Sequence, residues 1–236
     1  MIRTKLINEQ ELFQVPLPPR TDSYTPISNR EVVDLIHNEA LRNNLTIFNS
    51  SFKVNREGTK TIGYFDIRAD DPEMAMRMAF RNSYDKSMSF GIAAGAKIMV
   101  CSNGCITGEI VTKRKHTGSA DEEAKYKIIE GFSMIGDTFE TIKQARDKFK
   151  SIEIDRKINS ELVGRMFMEH EFINSVQLNI IKKECESSDK FTTIWEPGYS
   201  VWDLYNNVTH SLKESHPSTY MHDHINLHEF MMAEFK

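Results

Sequence analysis

The feature of the sequence that most restricts the fold is a two-residue alternation that begins at Met74. Between residues 74 and 81, large apolar side chains alternate with small or basic ones: Met74, Met76, Met78 and Phe80 against Ala75, Arg77, Ala79 and Arg81. Residues 87–101 repeat the pattern, with apolar side chains at the even-numbered positions and mainly glycine, alanine and serine at the odd-numbered ones. Because successive side chains of a strand point to opposite faces, this predicts two strands with their apolar side chains facing the core. The same reasoning predicts that Arg77, Arg81 and Lys97 face solvent over a floor of small residues.

The flanking segments predict the rest of a β-meander. Residues 45–54 are rich in β-branched and aromatic side chains, a turn signal follows at Glu57 and Gly58, and residues 61–67 resume a strand. Asn103 and Gly104 form a second hairpin signal, before a strand that ends in a basic cluster. Short connections favour antiparallel pairing, so we predict about five mostly antiparallel strands.

Helical periodicity dominates the remainder and predicts an α+β fold in which the meander packs with long amphipathic helices. Capping-box spacing at residues 28–31 and 119–122 precedes two helices. Further helices are predicted at about residues 160–183 and 200–212, with a short one around Ile225. The second helix carries a narrow apolar stripe, most simply core packing and alternatively a subunit interface: Ile128, Phe132, Ile135, Phe139, Ile142 and Phe149.

Proline marks the N-terminal boundary of the predicted domain. Residues 1–27 hold four of the seven prolines, so we expect an extended arm there. Residues 28–236 are predicted to form a single α+β domain with a helical C-terminal part. The apolar and charged fractions, 39% and 27%, are those of an ordinary globular protein. No run approaches the length of a membrane span, and three cysteines fit a reducing compartment, so we expect a cytoplasmic protein without a membrane partner.

The distribution of charge points to a phosphate-binding surface. The whole chain has a net charge of -4, yet residues 53–115 hold eleven Lys or Arg against seven Asp or Glu. Basic side chains over a glycine-rich sheet face could hold a phosphodiester backbone, and an aromatic side chain at a turn could stack on a base. A solvated strand face and a mobile charged loop are the plainer alternatives. The candidate nucleic-acid-binding residues are Arg77, Arg81, Tyr84, Lys86, Lys97, Lys113, Arg114 and Lys115.

Signatures of catalysis are missing from the sequence. It contains no nucleophile elbow, no P-loop and no dinucleotide fingerprint. Cys101 and Cys105 straddle a predicted turn and have no second pair, which disfavours a zinc site. His222, Asp223, His224 and His228 are clustered, but histidines without a metal are the favoured interpretation. We therefore predict a non-enzymatic protein with no cofactor and no metal, and a metal-dependent nuclease is a distant third hypothesis.

Three segments carry a resemblance to a known family. The first combines Arg81, Ser83, Tyr84, Asp85 and Ser87 with Val100, Cys101 and Asn103; the others are residues 114–118 and 202–210. Over residues 45–212 the chain resembles the phage/plasmid-like proteins grouped as domain of unknown function nine-thirty-two. The resemblance implies a phage or mobile-element context. In its layout of strands and helices the family is also distantly similar to ring-forming single-strand annealing proteins.

Together these features predict an oligomeric protein that binds single-stranded DNA and promotes annealing in recombination or replication. In this hypothesis the candidate cations hold phosphates, Tyr84 stacks on a base, and the partners are single-stranded DNA and further copies of the chain. The alternative is a non-enzymatic virion or host-interaction protein that assembles through its N-terminal arm and its helical stripe.

Overall fold

A computed structural model describes the backbone of residues 4–99, 104–111 and 119–236, and the side chains of these residues outside 107–111. Six strands form one sheet in which each strand pairs antiparallel with the next along the chain. The α+β prediction is confirmed, with one more strand than expected. The strands are β1 (Lys5–Ile7), β2 (Ile47–Val54), β3 (Lys60–Ile67), β4 (Met74–Ser83), β5 (Gly91–Ile98) and β6 (Gly104–Val111).

Helices precede and follow the meander. Two lie before β2, and the others follow β6, with one 3-10 turn at Leu212–Glu214. Within the described residues they are α1 (Glu9–Phe13), α2 (Asn29–Arg42), α3 (Ala120–Lys150), α4 (Arg156–Met168), α5 (Ser175–Ser187), α6 (Val201–Ser211) and α7 (Tyr220–Glu234).

The N-terminal segment is more structured than its prolines suggest. β1 pairs with β2, and α1 buries Leu12 completely. The prediction that residues 1–27 form only an extended arm is therefore wrong for residues 5–13. The three residues of β1 and the five residues of α1 are too few to show a period in the sequence. The pairing of β1 with β2 is a long-range contact that the local sequence does not reveal.

The long helix α3 packs across the sheet, as its stripe predicted. All six stripe residues are buried against the core. The helix approaches the sheet closely at Gly131, where a Cβ would lie 3.5 Å from the Met78 side chain and 3.6 Å from that of Ile92. The core-packing interpretation of the stripe is thus confirmed. Helix α3 begins directly after Ser119, although the Ser119 side chain makes no capping hydrogen bond.

The single helix predicted at residues 160–183 is in fact two. The Asp155 carboxylate accepts from the backbone N–H of Ile158 and caps α4, and Asn174 forms a capping box at the start of α5. Between them Glu171 has a φ of 52°, which no α-helix contains. The linker residues Phe172 and Ile173 are buried, so the apolar pattern continues through the break.

Helix α7 closes the second face of the sheet. Its first half forms a small apolar cluster with side chains of β3 to β6: Ile62, Tyr64, Ala79, Ala93, Ile106, Tyr220 and Met221. Its second half adds Leu227, Phe230 and Met231 to the main core. Both faces of the central strands are therefore covered. The alternation within the strands cannot predict this, because the covering helix is distant in the sequence.

A substitution of Gly95 tests the sheet register. At the irregularity between β5 and β6, a Cβ on Gly95 would lie 2.0 Å from the carbonyl oxygen of Cys105. Because backbone atoms must shift, we expect Gly95→Ala to lower the free energy of unfolding by about 3 kcal/mol in urea denaturation. Gly136→Ala on α3, where a Cβ meets nothing within 4 Å, is the control and should raise stability by up to about 1 kcal/mol. Equal stabilities would contradict the register.

Candidate nucleic-acid interface

A buried ionic network lies where the sequence predicted an exposed basic face. The register places Arg77 on β4 opposite Asp66 on β3. The Asp66 carboxylate accepts from Arg77 Nε at 2.8 Å, from Lys97 Nζ at 2.8 Å and from Asn49 Nδ2 at 2.7 Å. These four residues come from β2, β3, β4 and β5, so one carboxylate connects four neighbouring strands.

The prediction that Arg77 and Lys97 face solvent is wrong. Arg77 is 6% exposed, and its guanidinium carbon lies 5.2 Å from the centre of the Tyr64 ring. The Lys97 side chain is 13% exposed, and its ammonium lies 5.3 Å from the centre of the Phe48 ring. Arg77 is covered by Tyr64, which packs against Tyr220 of α7, and Lys97 is partly covered by Phe48 of β2. Both charges are directed at Asp66, so neither residue is placed to hold a DNA phosphate.

The network keeps Asp66 ionised inside the protein. Burial by itself would raise the pKa of Asp66, but Arg77 and the hydrogen bonds from Lys97 and Asn49 outweigh it and lower that pKa. Asp66 was visible in the sequence as an acidic residue within an apolar strand, beside a strand that carries arginine. That combination is a usable signal for a buried ion pair.

Two histidines of α7 are buried, His224 close to the charge of Arg77 and His228 beside the Tyr205 hydroxyl. His224 is fully buried, and neither of its ring nitrogens has a hydrogen-bond partner of good geometry among the described residues. Burial lowers the pKa of His224 to about 3, with the positive charges of Arg77 and Lys53 acting in the same direction. Burial also lowers the pKa of His228 to about 4. Both rings are therefore neutral in the folded protein at neutral pH.

Tyr84 and Lys86 lie in the turn after β4. The Tyr84 hydroxyl accepts from the backbone N–H of Asn29 at 2.9 Å, and its carbonyl accepts from the Tyr24 hydroxyl at 3.1 Å. Tyr84 is half-buried, and through these two hydrogen bonds it connects the N-terminal segment and α2 to the sheet. Lys86 is exposed, with its ammonium 4.6 Å from the centre of the Tyr24 ring.

Arg81 lies near the same end of the sheet and is the remaining candidate with a described structure. Arg81 is half-buried, and its Nη1 donates to the carbonyl of Ser218 at 3.3 Å. Lys113, Arg114 and Lys115 lie outside the described residues. In the sequence they follow Val111, the last residue of β6, which pairs with Gly91 at the start of β5.

The antiparallel register brings several connections to this end. The β2–β3 turn, the β4–β5 turn and the β6–α3 connection all leave the sheet there, because Lys60 pairs with Ser83 and Gly91 pairs with Val111. We call this region the basic sheet end and define it by Arg56, Lys60 and Lys86; in the sequence, the segment after Val111 continues into Lys113, Arg114 and Lys115. Arg56 and Lys86 are exposed, and Lys60 Nζ lies 3.7 Å from a carboxylate oxygen of Asp85.

The sequence was also compared with known proteins. A family model described as Domain of unknown function (DUF932) matches residues 16–228. The chain belongs to this family. No curated protein and no solved structure matches it.

The DUF932 match includes β2 to β6, α2 to α6 and the first part of α7. It therefore covers the ionic network, the basic sheet end and the first part of the helix that closes the second face. Among the residues whose structure is described, no helix of the chain is long and apolar enough to cross a membrane. In the same part of the chain, no group of three His, Cys, Asp or Glu side chains could hold a metal ion.

Removing the Asp66 charge tests the network. We expect Asp66→Asn to lower the free energy of unfolding of this DUF932 protein by about 3–5 kcal/mol, since Arg77 and Lys97 lose their shared counter-charge. Urea denaturation at pH 7 measures the loss. Asp85→Asn is the control: its carboxylate is partly exposed, and we expect a loss below about 1 kcal/mol. Small and equal losses from both variants would contradict the network.

The buried histidines predict a loss of stability in mild acid. An unfolded histidine titrates near pH 6.5, and His224 and His228 titrate at about 3 and about 4 when folded. Between these values only the unfolded chain binds the protons. Stability is therefore complete above about pH 6.5 and falls below it, by up to about 1.4 kcal/mol per pH unit for each histidine.

A variant of His224 isolates this effect. Urea denaturation between pH 7.5 and pH 4.5 should give a shallower loss for His224→Leu than for the parent, because one titrating group is gone. His222→Leu, on the exposed side of the same helix, is the matched control. An identical pH profile for His224→Leu and the parent would show that this ring is protonated in the folded state.

Proposed function

We propose that this chain binds single-stranded DNA as a homo-oligomer and promotes strand annealing in recombination or replication, in a phage or mobile-element context. The observation that carries the proposal is the basic sheet end. Its cations come from the β2–β3 and β4–β5 turns, which the antiparallel register brings to the end of the sheet where β6 reaches Val111. The sequence continues from Val111 into Lys113, Arg114 and Lys115.

The proposed interface differs from the one that the alternation suggested. The sheet face cannot serve, because the side chains of its cations Arg77 and Lys97 are bound to Asp66. Lys86, Lys113, Arg114 and Lys115 remain as phosphate-binding residues, and Arg56 and Lys60 join them. Lysine and arginine side chains on neighbouring turns can follow a flexible phosphate backbone without reading its sequence.

Apolar side chains on the outer side of α3 support self-association. The buried stripe faces the sheet, yet Tyr126, Ile129 and Met134 in the first half of the helix are exposed. This half begins near the basic sheet end, so contacts between copies at this surface would place neighbouring basic sheet ends close together. Aligned basic surfaces would hold one long strand extended for pairing with its complement.

A charge-removal variant tests the proposal. Labelled single-stranded and duplex oligonucleotides are titrated across a salt series, with mass determination of the free protein. We expect tighter binding to single strands, a steep decline with salt, and a multimeric mass. Lys113→Ala/Arg114→Ala/Lys115→Ala should weaken binding at least tenfold and flatten the salt dependence, because fewer counterions are released.

The control removes the same number of charges elsewhere. Lys157, Lys183 and Lys190 are exposed on or beside the C-terminal helices, and their triple alanine variant should bind like the parent. Equal weakening by both variants would indicate a non-specific charge effect and reject the basic sheet end. No binding at low salt would reject the DNA-binding function itself.

A further inference from the structure

A cleft between α4 and α5 is separate from the basic sheet end. It has a volume of ≈ 350 Å³, within the range of small-molecule sites. Val163 from α4 and Leu178 and Ile181 from α5 form apolar walls. The two helices are connected by the linker with the left-handed Glu171, so the cleft is built from the segment that the sequence had predicted as one helix.

Polar groups lie at the base of the cleft in a fixed arrangement. Asn159 and Cys185 both line it. The carbonyl oxygen of Asn159 accepts from the Tyr199 hydroxyl at 2.9 Å, so the group it can offer a ligand is its NH2. The Asn207 amide donates to Cys185 Sγ at 3.4 Å. Burial raises the pKa of Cys185, so its thiol is neutral and the chemistry of the cleft is non-covalent.

Positive charge lines the cleft, and an aromatic ring lies next to it. Arg156 and Lys182 line it, with Glu186 as the acidic residue among the lining side chains. The Arg156 guanidinium carbon lies 4.9 Å from the centre of the Trp195 ring, and Trp195 is 58% exposed. An exposed tryptophan stacked by arginine presents a flat surface beside two cations, which suits a planar ring that carries an anion.

We propose that this cleft binds a nucleotide, with the base between the apolar walls, the Asn159 NH2 on a base acceptor, and the phosphate on Arg156 and Lys182. The cleft accommodates one flat ring, the amide supplies a directional contact, and the two cations match a phosphate dianion. The nucleotide is either a free mononucleotide or one unit of a DNA chain. The inference does not rest on the proposed function, because no residue of the basic sheet end takes part.

Trp195 provides the primary measurement. The chain has two tryptophans, and the other, Trp202, is 6% exposed and stacked on Tyr205. The full-length protein is titrated with dAMP, deoxyadenosine, inorganic phosphate and an oligo-dA, with tryptophan fluorescence and calorimetry as readouts. We expect saturable binding of dAMP, at least tenfold weaker binding of deoxyadenosine, and phosphate alone weaker than either.

Gly164 offers a variant that blocks the cleft while the helix is kept. It lines the cleft, and a Cβ there would meet nothing within 4 Å. Leucine is a better helix former than glycine, so Gly164→Leu should fold and fill the cleft. Gly136→Leu on α3 is the matched control, since its Cβ position is equally open. We expect at least a tenfold loss of affinity from Gly164→Leu and none from Gly136→Leu.

The charge contribution is tested at the adjacent pair Arg156 and Lys157, both exposed on the first turn of α4. Arg156→Ala should weaken dAMP at least fivefold and deoxyadenosine less, whereas Lys157→Ala should change neither. Oligo-dA binding that is sensitive to Gly164→Leu, without dAMP binding, assigns the cleft to a unit of a DNA chain. No saturable binding of any nucleotide, or equal affinity in Gly164→Leu and the parent, overturns the proposal. If only the Lys113→Ala/Arg114→Ala/Lys115→Ala variant loses DNA binding, the result bears on the proposed function. It does not change the conclusion about the cleft, which the dAMP titrations decide.

Discussion

The carboxylate of Asp66 is the interaction on which the rest of the structure depends. It accepts hydrogen bonds from Asn49, Arg77 and Lys97, so it connects four consecutive strands through one buried anion. A one-residue slip of any of these strands would turn its polar group to the other face and leave a charge buried in the main core. The network therefore fixes the register of the strands as well as stabilising the sheet. It also explains how a sheet covered on both faces contains two cations.

This arrangement decides where a ligand can bind. A sheet face lined with arginine and lysine resembles a phosphate-binding surface when it is considered alone. In the folded protein Asp66 binds both cations within the sheet, and the cations available to solvent lie at the ends of the strands. Short turns at one end of a meander are held by the sheet yet remain open to solvent, which is the usual combination for binding residues on a rigid scaffold.

The two proposed sites belong to different parts of the fold. The basic sheet end consists of connections between strands, where charge is concentrated and apolar walls are few. The α4–α5 cleft consists of helix sides, where apolar walls surround a small polar base. The first arrangement suits a long flexible polyanion bound through many weak contacts, and the second suits one small planar group held in a defined position. A DUF932 protein with both would contact a nucleic acid or its building blocks in two physically distinct ways.

The sequence by itself determined the elements with a clear local period: the meander from β2 to β6, the long helix α3 with its stripe, and the capped helix α6. In each, alternation or helical spacing identifies the side of the element that packs in the main core. It did not determine the break between α4 and α5, because buried Phe172 and Ile173 continue the apolar pattern through the linker. The tertiary structure alone decided that Arg77 is buried and that Lys97 is bound to Asp66, since a strand's period of two separates its faces without saying what covers each one. The cover over Arg77 includes Tyr220 of α7, more than a hundred residues further along the chain, and no local pattern carries information about it.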